Sequence, residues 1–331
     1  MIKRRLSTLT AVICLAGVGA IPLSACDLCA INNATVSRSE ASGAVFTLGE
    51  QYISAETTHL RGQEVVLPDP AFLHTSVTHF IPGYNFNRDL GVSLNIPFVR
   101  KEFDFFNYFF NERHAGKAQG IGDISLIGRW TPWSMQEMTH SLRFNLFAGV
   151  KLPTGDTRYL RDDVAEEKKL DGFFGGPNHD HTFNGVHLHD LTLGSGSVDG
   201  VFGFTTSARW KRLFATAEAQ YYLRTEGESQ FTFGDTVMVS GGPGAFVISR
   251  SHFTLSLQAV GRFENSERDS YGYKASGQTG MREIYVGPDI GMTVGQHFSG
   301  KVGADIPLDI RNNGLQTVPD FRVHASLTWS F

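Results

Sequence analysis

The last eleven residues constrain this chain more than any other stretch. Phe321, Val323, Ala325, Leu327, Trp329 and Phe331 alternate without a break with Arg322, His324, Ser326, Thr328 and Ser330. Period-two alternation puts each set on its own face of an extended strand. Eleven residues is also about the length that a tilted strand needs to cross a bilayer. A soluble edge strand rarely ends on an aromatic at the chain terminus.

The pattern recurs upstream. Leu142, Phe144, Leu146, Ala148, Val150 and Leu152 share one parity, as do Phe253, Leu255, Leu257 and Ala259, and Val302, Ala304, Ile306, Leu308 and Ile310. Leu90 to Phe98 and Ala215 to Tyr221 give further sets. Together they predict twelve strands, at 45–59, 72–83, 89–101, 120–132, 139–152, 197–209, 212–225, 229–240, 251–264, 279–293, 298–310 and 319–331. An even count closes a barrel with both termini on one side. The expected fold is therefore all-β, a single antiparallel transmembrane β-barrel of about twelve strands.

Connection lengths point the same way. Those after even-numbered strands include Asn87-Arg88-Asp89, Ser134 to Met138, Trp210-Lys211 and Gly295 to Gly300, whereas the one after strand five runs from about Pro153 to Gly196. Short periplasmic turns and long extracellular loops are the habit of outer-membrane barrels. Two connections depart from it, a long one near Gly241-Gly242-Pro243-Gly244 and a short one at Thr225 to Ser229. Trp130, Trp133, Trp210 and Trp329 all fall near the expected periplasmic rim, as an aromatic girdle would.

The N-terminus carries an export signal. Lys3, Arg4 and Arg5 precede an apolar run from Leu9 to Ile21 and a small-residue site at Pro22-Leu23-Ser24-Ala25. Domains are expected at 1–25 (signal peptide), 26–44 (periplasmic tail with a cysteine pair) and 45–331 (barrel). Cleavage removes three of 29 basic residues, leaving 26 against 33 acidic ones and a net charge of −7. That charge speaks against nucleic acid as a partner. The destination is the bacterial outer membrane.

If the apolar face meets lipid, the other face lines the lumen. It would carry Asp123, Arg129, Arg143, Lys151, Glu218, Glu283, Asp289, Asp305, Asp309, Arg322 and His324. Both signs are present, so these groups either brace a narrow interior or filter what passes it. Two further clusters stand apart. Cys26 and Cys29 flank Asp27-Leu28 directly behind the cleavage site, and three readings stay open. They are lipidation of Cys26 in the lipobox-like Leu23-Ser24-Ala25-Cys26, a disulfide, and a redox, metal or partner attachment. Haem attachment would want histidine where Ala30 stands. His179, His181, His187 and His189 lie in the longest outer loop. Their i, i+2 pairs suit zinc, copper or nickel across a hairpin, a solvated polar loop, or a pH-dependent contact.

No catalytic pattern appears. The chain has no G-x-S-x-G elbow, H-E-x-x-H helix or phosphate-binding glycine loop. Ser256 or Ser326 with His324 is a pairing that abundance alone supplies. The expected function is a channel or uptake pore with outer-membrane lipid and a small solute as partners and no cofactor. The alternative is a non-conducting anchor or docking barrel, with the N-terminal tail reaching a periplasmic partner.

Several stretches resemble a family of bacterial outer-membrane proteins named for the meta-pathway of phenol degradation. They are Gly120-Ile121-Gly122-Asp123-Ile124-Ser125-Leu126, Gly149-Val150-Lys151-Leu152-Pro153-Thr154-Gly155-Asp156, Asn87 to Pro97, and the closing stretch Gly287 to Phe331. The likeness runs from about residue 45 to 331. It implies an outer-membrane barrel and, by analogy, uptake of aromatic or other hydrophobic compounds. It brings no catalytic residues to carry over.

Overall fold

The computed structural model describes residues 42–137, 139–174 and 185–331. The signal segment, Cys26, Cys29, His179 and His181 lie outside the described residues. Fourteen strands are present among them: β1 (Gly43–Leu60), β2 (Gln63–Val65), β3 (Phe72–Asn85), β4 (Leu90–Asn107), β5 (Glu112–Ile121), β6 (Ile124–Gln136), β7 (His140–Leu152), β8 (Asp199–Trp210), β9 (Leu213–Leu223), β10 (Thr236–Arg250), β11 (Phe253–Ser266), β12 (Met281–Val294), β13 (Phe298–Asn312) and β14 (Leu315–Ser330). One α-helix, α1 (Arg158–Phe174), lies between β7 and β8.

Twelve staves make the wall. β2 only folds back on the top of β1. β5 and β6 pair in succession with the upper and lower halves of β4, so they are one stave interrupted at Gly122-Asp123. Every neighbouring pair is antiparallel, and β14 returns to β1 from Val45↔Ser330 to Leu60↔Leu315. Closure pairs the wall strands with neighbours on both sides, except β5, whose ladder is with β4 alone.

Burial follows the alternation read from the sequence. On β14, Arg322, His324, Ser326 and Thr328 are buried, whereas Phe321, Val323, Leu327 and Trp329 are exposed. Phe46, Leu48, Phe80, Leu126, Leu146, Phe202, Leu257, Ile290 and Val302 continue the exposed apolar belt around the barrel. Its interior is rich in polar and charged side chains, with apolar inner-wall clusters around Val77, Val99 and Phe103 and around Ile127, Phe147 and Val201. That inversion of an ordinary core is what lipid requires of a spanning barrel. All four tryptophans are exposed near the rim of short turns.

Two sequence expectations are corrected by local backbone chemistry. The eighth stave runs over Thr236–Arg250, not 229–240, and Gly241-Gly242-Pro243-Gly244 lies inside it. A Cβ at Gly241 would collide with the Thr216 carbonyl and one at Gly242 with the Ala259 carbonyl. Those glycines therefore allow close strand approach where they had suggested a turn. The shift also removes both departures from the loop rule, because Ser251-His252 becomes a tight turn and 224–235 a long outer connection. The second correction concerns Asp309. A register irregularity opposite Ile284/Tyr285 flips the parity of β13 above Pro307. Asp309 consequently faces outward, paired with Arg282 at 3.3 Å and Arg311 at 3.1 Å, while Ile310 and Asn312 turn inward.

Candidate functional site: a plugged, charge-braced lumen

The described parts of the connection between β7 and β8, 153–174 and 185–198, are not a solvated loop. α1 places Leu160 and Val164 against Phe231 and Tyr271, which come from the β9–β10 and β11–β12 connections. The chain from Gly185 to Ser197 then crosses the bore. The Thr317 amide on β14 donates to the Gly185 carbonyl at 2.5 Å. Lys101 on β4 donates to the carbonyls of Asp190 and Thr192 at 2.8 and 2.9 Å. Val186, Leu191 and Leu193 pack on the inner-wall residues Val77, Val99, Phe103 and Ala118. Further on, Asp123 accepts from the amides of Gly155 and Ser195 at 3.0 and 2.8 Å. A Cβ on Gly194 would lie 2.6 Å from that carboxylate, so only glycine lets the plug pass so closely.

His189 fastens this plug to the elements above it. Its Nδ1 lies 3.0 Å from Asp163 on α1, and its Nε2 lies 3.6 Å from Asp190 and 3.8 Å from Asp269. The Tyr271 hydroxyl donates to the same Asp163 oxygen at 2.8 Å. Burial works against a charge on His189, but the surrounding carboxylates prevail and raise its pKa to about 10. Burial also pushes Asp163 upward, yet His189 holds it below the ordinary carboxylate range. Asp269 is lifted to about 6 by burial against the pull of His189. His187 stacks on His189 at 5.2 Å between ring centroids. Burial and that neighbouring charge keep its pKa low. The pair His187 and His189 thus sits inside a folded plug rather than on a solvated hairpin. No group of metal-ligating side chains is found among the described residues.

Below the plug the bore holds two cavities in series. The upper one, about 170 Å³, is bounded by plug residues, by Ile53, Leu73, Val99 and Met281, and by Lys101 and Lys151. The lower one, about 240 Å³, is bounded by Glu218, Gln258, Arg262, Asp289 and Lys301. On β12, Met281 lines the first and Asp289 the second, with Glu283 and Tyr285 between them. This intermediate layer is a waist. There Arg322 lies 2.6 Å from Glu264, 3.1 Å from Glu283 and 4.1 Å from the centre of the Tyr285 ring.

Of the eleven residues expected inside, ten face inward. Lys151 sits between Asp123 at 3.0 Å and Asp199 at 2.7 Å. Arg262 reaches Asp305 at 2.8 Å, and His324 lies 3.1 Å from Asp289. Lys301 meets Asp289 at 2.5 Å. Glu218 borders the lower cavity, and Arg129 and Arg143 lie at the periplasmic end of β6 and β7. Sequence reasoning missed Arg262 and Glu264, although both continue the inward parity of Gln258 along β11. It also missed Lys101, Asp163 and Asp269. The last two belong to different connections, and no local pattern joins them.

A closed twelve-stave barrel with an apolar outer belt and a polar bore defines an outer-membrane β-barrel. No family model matches the chain, and no curated protein matches it. Among solved structures it is similar to an outer-membrane channel from Pseudomonas putida F1, at 12% identity over 89% of this chain and 97% of that one, with a TM-score of 0.58. The β-domain of the Bordetella autotransporter Brka is also similar, at 9% identity over 87% and 100% of the two chains, with a TM-score of 0.43. The first likeness supports the barrel fold, and neither singles out the phenol-degradation family.

Proposed function

We propose that this barrel is a gated outer-membrane channel for small solutes, held closed by its own β7–β8 connection. The observation that carries the reading is the pair of lumen cavities in series, one under the plug and one open to the periplasmic half. A barrel built only as an anchor has no need to keep polar space at two levels of its bore. The upper cavity pairs an aliphatic wall with two lysines, which favours solutes with an apolar body and a polar end. The charges at the waist limit size and screen polarity. The plug is attached by side chains and carbonyls rather than by strand pairing, so it can leave without opening the wall.

The test is single-channel recording of purified mature protein in a planar bilayer. Brief, infrequent openings are expected from the wild type, and larger and longer ones when Gly194→Val drives the plug off Asp123. A folded barrel that stays silent in both forms would reject the channel.

A further inference from the structure

The geometry points to an oxyanion-binding site at the periplasmic end of the lumen, formed by Arg129 and Arg143 and suited to the carboxylate of a small solute. The two guanidiniums converge on one hydroxyl. Arg129 Nη1 donates to Thr131 Oγ1 at 3.3 Å, and Arg143 Nη2 donates to the same oxygen at 3.4 Å. Arg129 Nη2 also donates to Asn85 Oδ1 at 2.7 Å. Arg143 donates from Nε to Asn145 Oδ1 at 3.1 Å and from Nη2 to the Arg88 carbonyl at 2.8 Å. The holding groups are themselves fixed, since Thr131 donates to Asn145 Oδ1 at 2.7 Å and Asn145 donates to Thr205 at 2.9 Å. Thr131, Asn145 and Asn85 are 4%, 6% and 7% exposed, so the cradle is built into the wall while both arginines remain half-open to the bore.

Arg129 differs from the bracing cations elsewhere. Arg262, Arg322, Lys151 and Lys301 each rest on a carboxylate. Arg129 forms no ion pair among the described residues, and the exposed Asp89 of the adjoining turn acts on it only through space. Neutral oxygens aim its fork without neutralising it. Two like charges drawn to one hydroxyl repel, and an incoming anion relieves that repulsion. Each guanidinium is a planar fork of donors that matches a carboxylate in bidentate fashion. The backbone leaves room for this, because a Cβ at Gly91 would lie 2.6 Å from Asn85 Oδ1 and 3.1 Å from Arg129 Nη2. A solute leaving the waist toward the periplasm would meet this pair last.

Isothermal titration of the mature barrel in non-ionic detergent, with sodium acetate and separately with sodium phosphate at constant ionic strength, tests the site. Saturable binding of acetate is expected. It should weaken about tenfold or more in Arg129→Gln and in Arg143→Gln, and persist in Arg311→Gln, which removes one charge from the outer face. Arg143→Lys keeps the charge but not the fork, so it should weaken acetate more than phosphate. It also serves if a glutamine variant does not assemble. Wild-type saturation by phosphate alone would overturn the carboxylate assignment. Absence of saturation by either anion, or equal affinities in wild type, Arg143→Lys and Arg311→Gln, would overturn the site. The readout is binding, so a barrel that binds acetate yet never conducts would keep the site and lose the channel.

Discussion

Replacing His189 with alanine is expected to raise the time-averaged current through the barrel by at least about tenfold, with the wall intact. His189 is the cation among Asp163, Asp190 and Asp269, and it is 2% exposed. Taking it away leaves three carboxylates facing one another, two of them, Asp163 and Asp269, buried. Removing one partner of a buried ion pair typically costs about 3–5 kcal/mol. The protein can relieve that by protonating a carboxylate or by moving the plug. Wall strands are held by ladders of backbone bonds, whereas α1 and 185–197 are held by this cluster, by Lys101, Asp123 and the Thr317 amide, by Lys274 on Glu167 and Asp171, by Asn107 on Glu166, and by apolar contacts. Plug release is therefore the easier relaxation. Even a third of the cost, spent on the closed state alone, shifts the closed-to-open ratio about tenfold. Planar-bilayer recording decides it, with the heat-dependent gel shift of the barrel as the control for folding. An unchanged current through a folded His189→Ala barrel would mean that His189 stabilises the plug without gating it.

The same cluster sets a pH dependence of definite sign. His189 has its pKa raised from 6.5 to about 10 in the closed form, so its contribution is complete below about pH 6.5 and is lost as pH climbs toward 10. Asp269, raised to about 6, acts in the same direction, since its ionisation in the pocket is disfavoured. Asp163 is lowered and withdraws its support only under stronger acid. The plug should then be tightest in mildly acidic medium, and openings should multiply between neutrality and about pH 10. A current that falls on alkalinisation would contradict the assignment of charge to His189.

Much of the wall could be read from residues alone, because lipid outside and water inside force opposite chemistry onto alternate positions. β14 is the clearest case, with every side chain on the face its parity predicts until the top of the strand. β10 fails for a physical reason. Gly241-Gly242-Pro243-Gly244 has turn chemistry, and only the neighbouring carbonyls reveal that small residues are needed for close packing. Asp309 fails because one irregularity inverts everything beyond it, and pattern arguments carry no memory of a slipped register. The plug was not legible, and the connection reads as an outer loop. Leu160 and Val164 lie four residues apart, but Leu170 does not continue their face, so α1 leaves no sustained helical pattern. The contacts of Asp163 and Asp269 with His189 were hidden too, since they join positions 26 and 80 residues apart through space alone.

At the waist, Arg322→Met is expected to lower barrel stability by about 3–5 kcal/mol. Arg322 is 1% exposed and spans Glu264 and Glu283, so the variant keeps most of the volume and strips two buried carboxylates of their counter-charge. It also removes the stacking partner of Tyr285. The position sits on the closing stave, paired with Ile53 of β1, which makes the seam the first place to feel the loss. Urea unfolding in bilayers or detergent, followed by tryptophan fluorescence, measures it. Adding Glu264→Gln and Glu283→Gln should restore a large part of the loss, because neutral amides no longer need the cation. Non-additivity in that cycle separates charge balance from lost packing. The current should change as well, toward cation preference in Arg322→Met and back toward neutrality in the triple variant. Full stability with unchanged selectivity would mean that water already reaches both carboxylates, and the waist would then be a hydrated passage whose charges are screened rather than paired.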